Sequence, residues 1–312
     1  MTVPIVFAFD NRLTMPAAVT LTSLMMNARE DTFYDIFILH SEKERIDKDM
    51  LSKVTDRYSN CRISYRTVGN VFDDAFEIRG ITTPAYYRLL IPRLIPEYDK
   101  VIYSDADIIF RRDLTEVYSI DLGVDYVAGV KDPGLNLTAD GIKYLDTLPG
   151  VTFGKYINSG FLIINSRQIN QDGVVDKLVA TAKGQWKYQD QDTINMVCAD
   201  RIKFIPPAYN MSDYVFLYGL NNQSEWTQLY SPADFIAGTV NGNIHYNGHK
   251  PWKKWCVNFD IWWEYYRKSP VFDQKFYFDF YYSRLNELDQ LPLLKRIKIL
   301  VRYFVYGRRK NP

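Results

Sequence analysis

Ile5-Val6-Phe7-Ala8-Phe9-Asp10-Asn11 opens the chain with an unbroken apolar run that stops on two polar side chains. A short run without alternation is how a strand buried on both faces reads, as in a parallel sheet covered by helices. Pro16 then precedes a helical stretch to about Ala28, with Val19, Leu21, Leu24 and Met25 as its apolar positions. Tyr34 to His40 reads as a second strand, residues 43–58 as a charged helix, and Cys61 to Val68 as a third, alternating strand. A helix from about Pro84 to Leu94 carries Arg88 and leads to the apolar run Lys100-Val101-Ile102-Tyr103-Ser104 before Asp105. Strand alternating with helix predicts an α/β protein with a doubly wound, Rossmann-like open sheet flanked by helices. Such sheets bind ligands beyond the carboxyl ends of their strands. Asp10 and Asp105 both occupy that position, so they are expected to face one crevice.

The second half is less regular. Tyr126 to Val130 and Ser159 to Ile164 read as strands, and Val174 to Lys183 and Thr193 to Ala199 as helices. Beyond Pro206-Pro207 the chain is loop-rich and aromatic, with neither an internal repeat nor a low-complexity linker. The expected organisation is one catalytic domain over residues 1–255 and a C-terminal helical and aromatic appendage over 256–312.

The chain has 312 residues and a net charge of +1, which hides an asymmetry. From Leu291 onward there are seven basic residues and no acidic ones, leaving residues 1–290 at −6. A mildly acidic body argues against nucleic acid as a partner. The three cysteines, Cys61, Cys198 and Cys256, lack metal-ligand spacing and suggest a reducing compartment. Val3 to Phe9 is followed at once by Asp10, Asn11 and Arg12, which is no secretory signal, and the expected location is cytoplasmic. The Asn-x-Ser/Thr sequons at Asn136, Asn210 and Asn222 are then idle. No apolar run approaches the ~20 residues of a membrane span.

Three Asp-x-Asp triplets occur. Asp47-Lys48-Asp49, beside Glu42, Lys43, Glu44 and Arg45, reads as a solvated helix face. Asp105-Ala106-Asp107 closes a buried strand. Two carboxylates there suit Mg²⁺ or Mn²⁺, which take oxygen ligands and keep positions for substrate phosphates. The plainer alternative is a pair of turn aspartates, although burying two carboxylates side by side is costly without a cation. Asp190-Gln191-Asp192 opens the helix expected from Thr193, where acidic residues suit the helix dipole without any ligand. Gln191, and Asn158 in Asn158-Ser159-Gly160-Phe161, add amides, which grip sugar hydroxyls well because they both donate and accept. His245, in His245-Tyr246-Asn247-Gly248-His249-Lys250-Pro251-Trp252, offers an imidazole for a metal, Gly248 close backbone approach, and Lys250 a charge for a phosphate. A turn with a satisfied histidine is the alternative there.

In order along the chain, Phe7-Ala8-Phe9-Asp10, Tyr86-Tyr87-Arg88-Leu89, Tyr103-Ser104-Asp105-Ala106-Asp107, Tyr156-Ile157-Asn158-Ser159-Gly160, Asp190-Gln191-Asp192 and His245…Lys250-Pro251-Trp252 resemble glycosyltransferase family 8. These are retaining GT-A enzymes that include bacterial lipopolysaccharide galactosyl- and glucosyltransferases and glycogenin, and the likeness runs from Ile5 to about Trp252. It implies a GT-A fold with an open mixed sheet and a UDP-hexose donor, UDP-galactose or UDP-glucose. It further implies that Ala8, Asp10 and Asn11 hold the uracil, and that Arg88 reaches the donor's sugar or phosphate. Asp105, Asp107 and His245 would bind Mn²⁺, with Mg²⁺ the alternative. Asn158, Asp190 and Gln191 would line the sugar, Asp132 would add a contact, and Gly248 and Lys250 would hold the diphosphate. Ser104, Ala106 and Ser159 complete the implied donor site. In many members two residues separate the motif's glycine from its lysine, whereas here only His249 intervenes. Gln191 and Asp190 are the catalytic candidates. Because an amide is a poor nucleophile, the expected reaction is a same-face substitution rather than a durable covalent intermediate.

Leu293, Leu294, Ile297, Leu300, Val301 and Phe304 fall on one face of a C-terminal helix, with Lys295, Lys298 and Arg302 on another and Arg308-Arg309-Lys310 beyond. This reads as an amphipathic segment over residues 291–312 drawn to anionic lipid, with Trp262-Trp263-Glu264-Tyr265-Tyr266 and Phe276 to Tyr282 as upstream aromatic anchors. A helix docked on the domain is the alternative. The combined expectation is a metal-dependent retaining hexosyltransferase, peripheral at the inner face of the cytoplasmic membrane, with a saccharide or lipid-linked saccharide such as lipopolysaccharide as acceptor. A metal-dependent nucleotidyltransferase and a non-catalytic UDP-sugar-binding protein are the competing readings.

Overall fold

A computed structural model of the protein describes residues 1–43, 45–78, 82–287 and 289–306, without the side chains of residues 302, 303, 305 and 306. Seven strands build the main sheet: β1 (Thr2–Ala8), β2 (Phe33–Ser41), β3 (Cys61–Val68), β4 (Val101–Ser104), β6 (Val127–Lys131), β7 (Ile157–Ile164) and β8 (Ile202–Phe204). Their order is β3-β2-β1-β4-β7-β6-β8. All neighbours run parallel except β7, which is antiparallel to both β4 and β6. The sheet is therefore open and mixed, and the antiparallel β7 brings its first residues, not its last, to the carboxyl end of β4. Three short strands form a second sheet in the order β5-β10-β9: β5 (Ile108–Ile109), β9 (Met211–Ser212) and β10 (Ile244–His245).

The apolar runs of β1 and β4 are buried on both faces. Ile5, Phe7 and Ile102 join a core beneath the helix Thr14–Met26, while Val6 and Tyr103 join a second core with Leu178 and Ile194 from the helices Val174–Thr181 and Gln189–Val197. Alternate strand residues point to opposite faces, so both cores draw on the same strands.

β7 departs from a regular ladder where it meets β6. Gly129 pairs with Leu162, but Lys131 pairs with Ile157, so two residue steps on one strand are matched by five on the other. Residues 158–161 consequently arch away from β6, as bulged strands do beside functional sites. Side chains supply much of the bonding that a ladder would otherwise provide. Asn195 Oδ1 accepts from the Ile157 amide at 2.8 Å, Gln191 Oε1 accepts from the Ser159 amide at 3.1 Å, and Arg88 Nη1 donates to the Ser159 carbonyl at 2.6 Å.

Several expected elements shift. The charged helix starts at Lys48 rather than residue 43, because Asp47 caps it by accepting from the Met50 amide at 2.9 Å. Thr83–Leu90 winds as a tight 3₁₀ helix and becomes α only over Ile91–Leu94. The helix expected from Thr193 begins at Gln189, whose backbone is left-handed (φ 45°). Asp192 fastens that turn by accepting from the Tyr188 amide at 2.7 Å. Asp190, Gln191 and Asp192 therefore lie within the helix's first turn, where acidic residues suit the helix dipole.

The chain forms two compact units, Met1–Pro251 with Trp255–Val271, and Trp252–Lys254 with Phe272–Pro312. Within the first, the helix Phe259–Lys268 buries Trp262, Trp263 and Tyr266 completely, and Trp263 Nε1 donates to the Pro251 carbonyl at 3.2 Å. These rings are core, which corrects their reading as membrane anchors: an indole enclosed by protein has no face left for lipid. The second unit carries helices Gln274–Leu285 and Leu293–Tyr306. Among the described residues no helix is long and apolar enough to cross a membrane. Arg308, Arg309 and Lys310 of the basic tail lie outside the described residues.

Candidate active site

The end of β4 carries the densest set of ionised groups. Asp105 follows Ser104, and its amide donates to the Gly160 carbonyl at 2.8 Å, which stitches β4 to the arch of β7. Its Oδ1 accepts from Arg88 Nη2 at 2.9 Å and from the Tyr103 hydroxyl at 2.8 Å. Burial works against the charge of this carboxylate, but Arg88 and His245 outweigh it and hold its pKa below the ordinary value.

Asp107 and His245 meet because β10 pairs antiparallel with β5, setting His245 opposite Ile108. Imidazole Nε2 lies 3.3 Å from Asp107 Oδ1 and 3.5 Å from Asp105 Oδ2. One ligand atom from each of the three residues falls within 4.8 Å of the others. Among the described residues, Asp107 Oδ1 and His245 Nε2 are buried without a hydrogen-bond partner, an arrangement that costs free energy unless something else occupies the space between them. Gly160 forms the floor. A Cβ placed there would stand 2.2 Å from His245 Cε1 and 2.9 Å from Asp105 Oδ2. Two carboxylate oxygens and one imidazole nitrogen, converging on one space, fit a hard or borderline divalent cation. Burial disfavours a charged His245, but the carboxylates of Asp107 and Asp105 prevail and push its pKa up to about 9, so a cation entering here displaces a proton. Gly160→Ala is expected to weaken Mn²⁺ binding by about 10–100-fold, as displacing a ligand's support does. Titration calorimetry with the far-ultraviolet dichroism unchanged would check it.

Lys250 is not free. Its ammonium pairs with Asp107 Oδ2 and donates to the Tyr246 carbonyl at 2.5 Å. Gly248 lies against Asp213, whose Oδ2 would be 3.2 Å from an added Cβ. Asp213 also has a buried, unpartnered Oδ1; burial raises its pKa to about 6 despite the opposing charges of His245 and Lys250.

A second cluster adjoins the first through Arg88, which is 6% exposed. Besides Asp105 it pairs through Nε with Asp190 Oδ2 at 3.2 Å, and its guanidinium lies 4.2 Å from the centroid of the Tyr103 ring. Ser159 Oγ donates to Asp190 Oδ2 at 2.9 Å. Burial lifts the Asp190 pKa to about 6, with Arg88 opposing and Asp105 reinforcing the shift. Gln191 is pinned at both ends, since Oε1 takes the Ser159 amide and Nε2 donates to the Tyr156 hydroxyl at 3.2 Å. Tyr156 and Tyr144 both donate to the buried carboxylate of Asp192. Asn158 connects the two clusters: Oδ1 accepts from the Gly160 amide at 2.9 Å, and its amide group pairs with the Asp132 carboxylate.

The remaining candidates sit at the neighbouring strand end. Ala8 closes β1, which pairs with β4 through Val6 and Tyr103. Asp10 is 6% exposed and held by Arg12 (Nε to Oδ2, 3.1 Å) and Thr82 (3.2 Å). Asn11 is exposed, and its Oδ1 accepts from the Asp47 amide and the Thr14 hydroxyl, so its side chain ties the cap of the helix Lys48–Arg57 to the start of the helix Thr14–Met26. Ser104 Oγ donates to the Asp105 carbonyl, and the Ala106 carbonyl accepts from Thr20. Tyr156 and Asp192 have a place in sequence motifs but no role of their own there, and Asp213 and Asn210 have no functional reading in the sequence. Asn136 and Asn210 drew notice only as sequons, and both are buried, so neither is open to glycosylation in the folded chain.

Residues 4–256 match the profile described as "Glycosyl transferase family 8". The chain belongs to this family. Its relatives include the lipopolysaccharide 1,2-glucosyltransferase of Escherichia coli, 25% identical over 85% of this chain and 78% of that protein. A Haemophilus influenzae protein is 26% identical over 68% of this chain, which spans 64% of that relative's length. Among solved structures, the galactosyltransferase LgtC bound to donor and acceptor sugar analogues superposes with a TM-score of 0.69 at 23% identity, covering 88% of this chain and 99% of that one. The bifunctional glycosyltransferase WbbM gives 0.73 at 22% identity over 91% of this chain and 52% of that one. The family's fold is thus this chain's fold, a GT-A arrangement built on the mixed seven-stranded sheet.

Proposed function

We propose that this chain is a metal-dependent, retaining glycosyltransferase that moves galactose or glucose from its UDP-sugar to a saccharide acceptor, lipid-linked as in lipopolysaccharide. The observation that carries the reading is the pair of clusters sharing Asp105: a cation-shaped space among Asp105, Asp107 and His245, and a wall of Arg88, Asp190, Ser159 and Gln191 beside it. Asp105, Asp107 and His245 would hold Mn²⁺ or Mg²⁺, which when bound offsets the diphosphate charge and favours its departure. Ala8 and Asp10 lie at the strand end assigned to the nucleoside, and Lys250 is close enough to the metal site to serve the diphosphate.

In the reaction proposed, the bond between the sugar's anomeric carbon and the UDP oxygen breaks while the acceptor oxygen bonds to that carbon on the same face. The acceptor's proton passes to the departing phosphate. Gln191 Oε1 uses one lone pair on the Ser159 amide and keeps a second for the positive charge that develops on the sugar. Its anchoring by Ser159 and Tyr156 suits such fixed electrostatic stabilisation. Asp190, paired with Arg88 and Ser159, is left as a sugar-hydroxyl acceptor. A trapped adduct on Gln191 or Asp190 would overturn this route.

A donor screen that follows UDP release with Mn²⁺ tests the reading. Release of inorganic diphosphate in place of UDP would instead indicate a nucleotidyltransferase, and no turnover of any UDP-hexose would reject the assignment.

Residues 291–312 are proposed to hold the protein to anionic lipid at the inner face of the cytoplasmic membrane. Leu293, Leu294, Ile297, Leu300, Val301 and Phe304 are all exposed on the helix Leu293–Tyr306. Deleting residues 291–312 is expected to release the protein from membrane fractions while leaving UDP-sugar hydrolysis unchanged. Membrane recovery equal to the full chain would count against it.

A further inference from the structure

We infer that Asn210 is a positioning residue that holds the imidazole of His245 with a proton on Nδ1, so that Nε2, facing Asp105 and Asp107, is the nitrogen that gives up its proton to a cation. The inference deepens the metal-site reading and rests on it. The argument starts from a group whose direction is not in question, the backbone amide of Gly160. That N–H donates to Asn158 at 2.9 Å, so the atom receiving it is the carbonyl oxygen Oδ1. Asn210 meets the same oxygen at 2.9 Å, and only an N–H can do so, which turns the Nδ2 of Asn210 toward Asn158. Asn210 Oδ1 is thereby aimed at His245, 2.8 Å from Nδ1. An amide oxygen only accepts, so Nδ1 carries the proton.

Nε2 remains as the ring's other nitrogen, buried and, among the described residues, without a hydrogen-bond partner. A neutral imidazole in this tautomer is a metal ligand; in the other it would point an N–H into the site. Asn210 is 1% exposed and sits between the single 3₁₀ turn Pro207–Tyr209 and β9, where β9 pairs with the strand that carries His245. Its other amide face reaches Asn158, on the sugar side. One buried side chain therefore spans the metal and donor-sugar parts of the site without lining either.

The chain of donors makes a test that bulk destabilisation cannot imitate. Asn210→Asp keeps an oxygen on Nδ1 but sets a carboxylate against Asn158 Oδ1. Asn210→Leu removes both contacts at similar volume. Mn²⁺ alone, titrated into each full-length protein and followed by free-ion electron paramagnetic resonance, should bind the Asp variant as tightly as wild type or tighter. The Leu variant should bind about 10–100-fold more weakly, the usual cost of losing a ligand's supporting hydrogen bond. Nitrogen modulation from a bound imidazole in pulsed spectra should persist in the Asp variant, while its KM for UDP-sugar rises. Should Asn210→Leu fail to fold, the Asp variant decides alone: weakened Mn²⁺ binding or loss of the nitrogen signal overturns the inference. Wild-type binding with equal losses in both variants, or no loss in either, also overturns it. Absence of imidazole-bound Mn²⁺ in the wild-type protein overturns the metal reading as well.

Discussion

Asp107→Asn is expected to abolish Mn²⁺ binding and to lower UDP release by roughly three orders of magnitude, equivalent to about 4 kcal/mol of lost transition-state stabilisation. The substitution is nearly isosteric, and the amide oxygen can still accept from Lys250, so the fold should persist. What disappears is a full charge beside the buried Nε2 of His245. With one of its two carboxylates gone, His245 should titrate below its value of about 9. Asp49→Asn makes a matched control. Asp49 belongs to a triplet of the same spacing, but it is exposed in the first turn of the helix Lys48–Arg57. It should leave both readouts unchanged, and an Asp107→Asn enzyme retaining a tenth of wild-type turnover would reject the site.

Arg88→Met should produce the largest loss of stability, about 3–5 kcal/mol, because it strands two carboxylates that share one buried cation. In melting temperature this is a drop of roughly 5–15 °C. Arg88 contacts Asp105, Asp190, the Ser159 carbonyl and the face of Tyr103 at once, and no other cation replaces it in the described structure. A pH series separates this cause from simple loss of packing. Without Arg88 the carboxyls of Asp105 and Asp190 titrate higher when folded than the ~4 of an unfolded chain. The native state then binds more protons than the unfolded state, so stability falls as pH rises through the raised folded values. The deficit against wild type should therefore be smaller at pH 5 than at pH 8. Arg88→Lys should recover part of the stability and little of the activity, since an ammonium cannot reach four directions as a planar guanidinium does.

The parts of this protein that were legible in its sequence share one property: their meaning is local. β1 and β4 announce themselves because strands buried on both faces must be apolar throughout. Asp105 and Asp107 follow such a strand, and His245 opens a recognisable run, so the metal-type cluster could be anticipated. Asn210 could not. Its role comes from partners 35 residues away in His245 and 52 away in Asn158, and from which end of each amide faces which. Tyr156 and Asp192 are similarly joined across 36 residues. The start of the helix at Gln189 was missed because it depends on a left-handed residue that is not glycine. Trp262 and Trp263 misled for a related reason: an aromatic pair reads alike whether it meets lipid or core, and only the packing around Phe259–Lys268 decides.

The arch at residues 158–161 bears on how this protein could be engineered. Asn158, Ser159 and Gly160, which between them reach both clusters, lie where pairing with β6 slips from Leu162 to Ile157. A continuous ladder would be the easier way to satisfy those backbone groups; here Arg88, Gln191 and Asn195 stand in for it. Selection for thermal endurance alone would accept deletions that straighten the strand, and selection for turnover would refuse them.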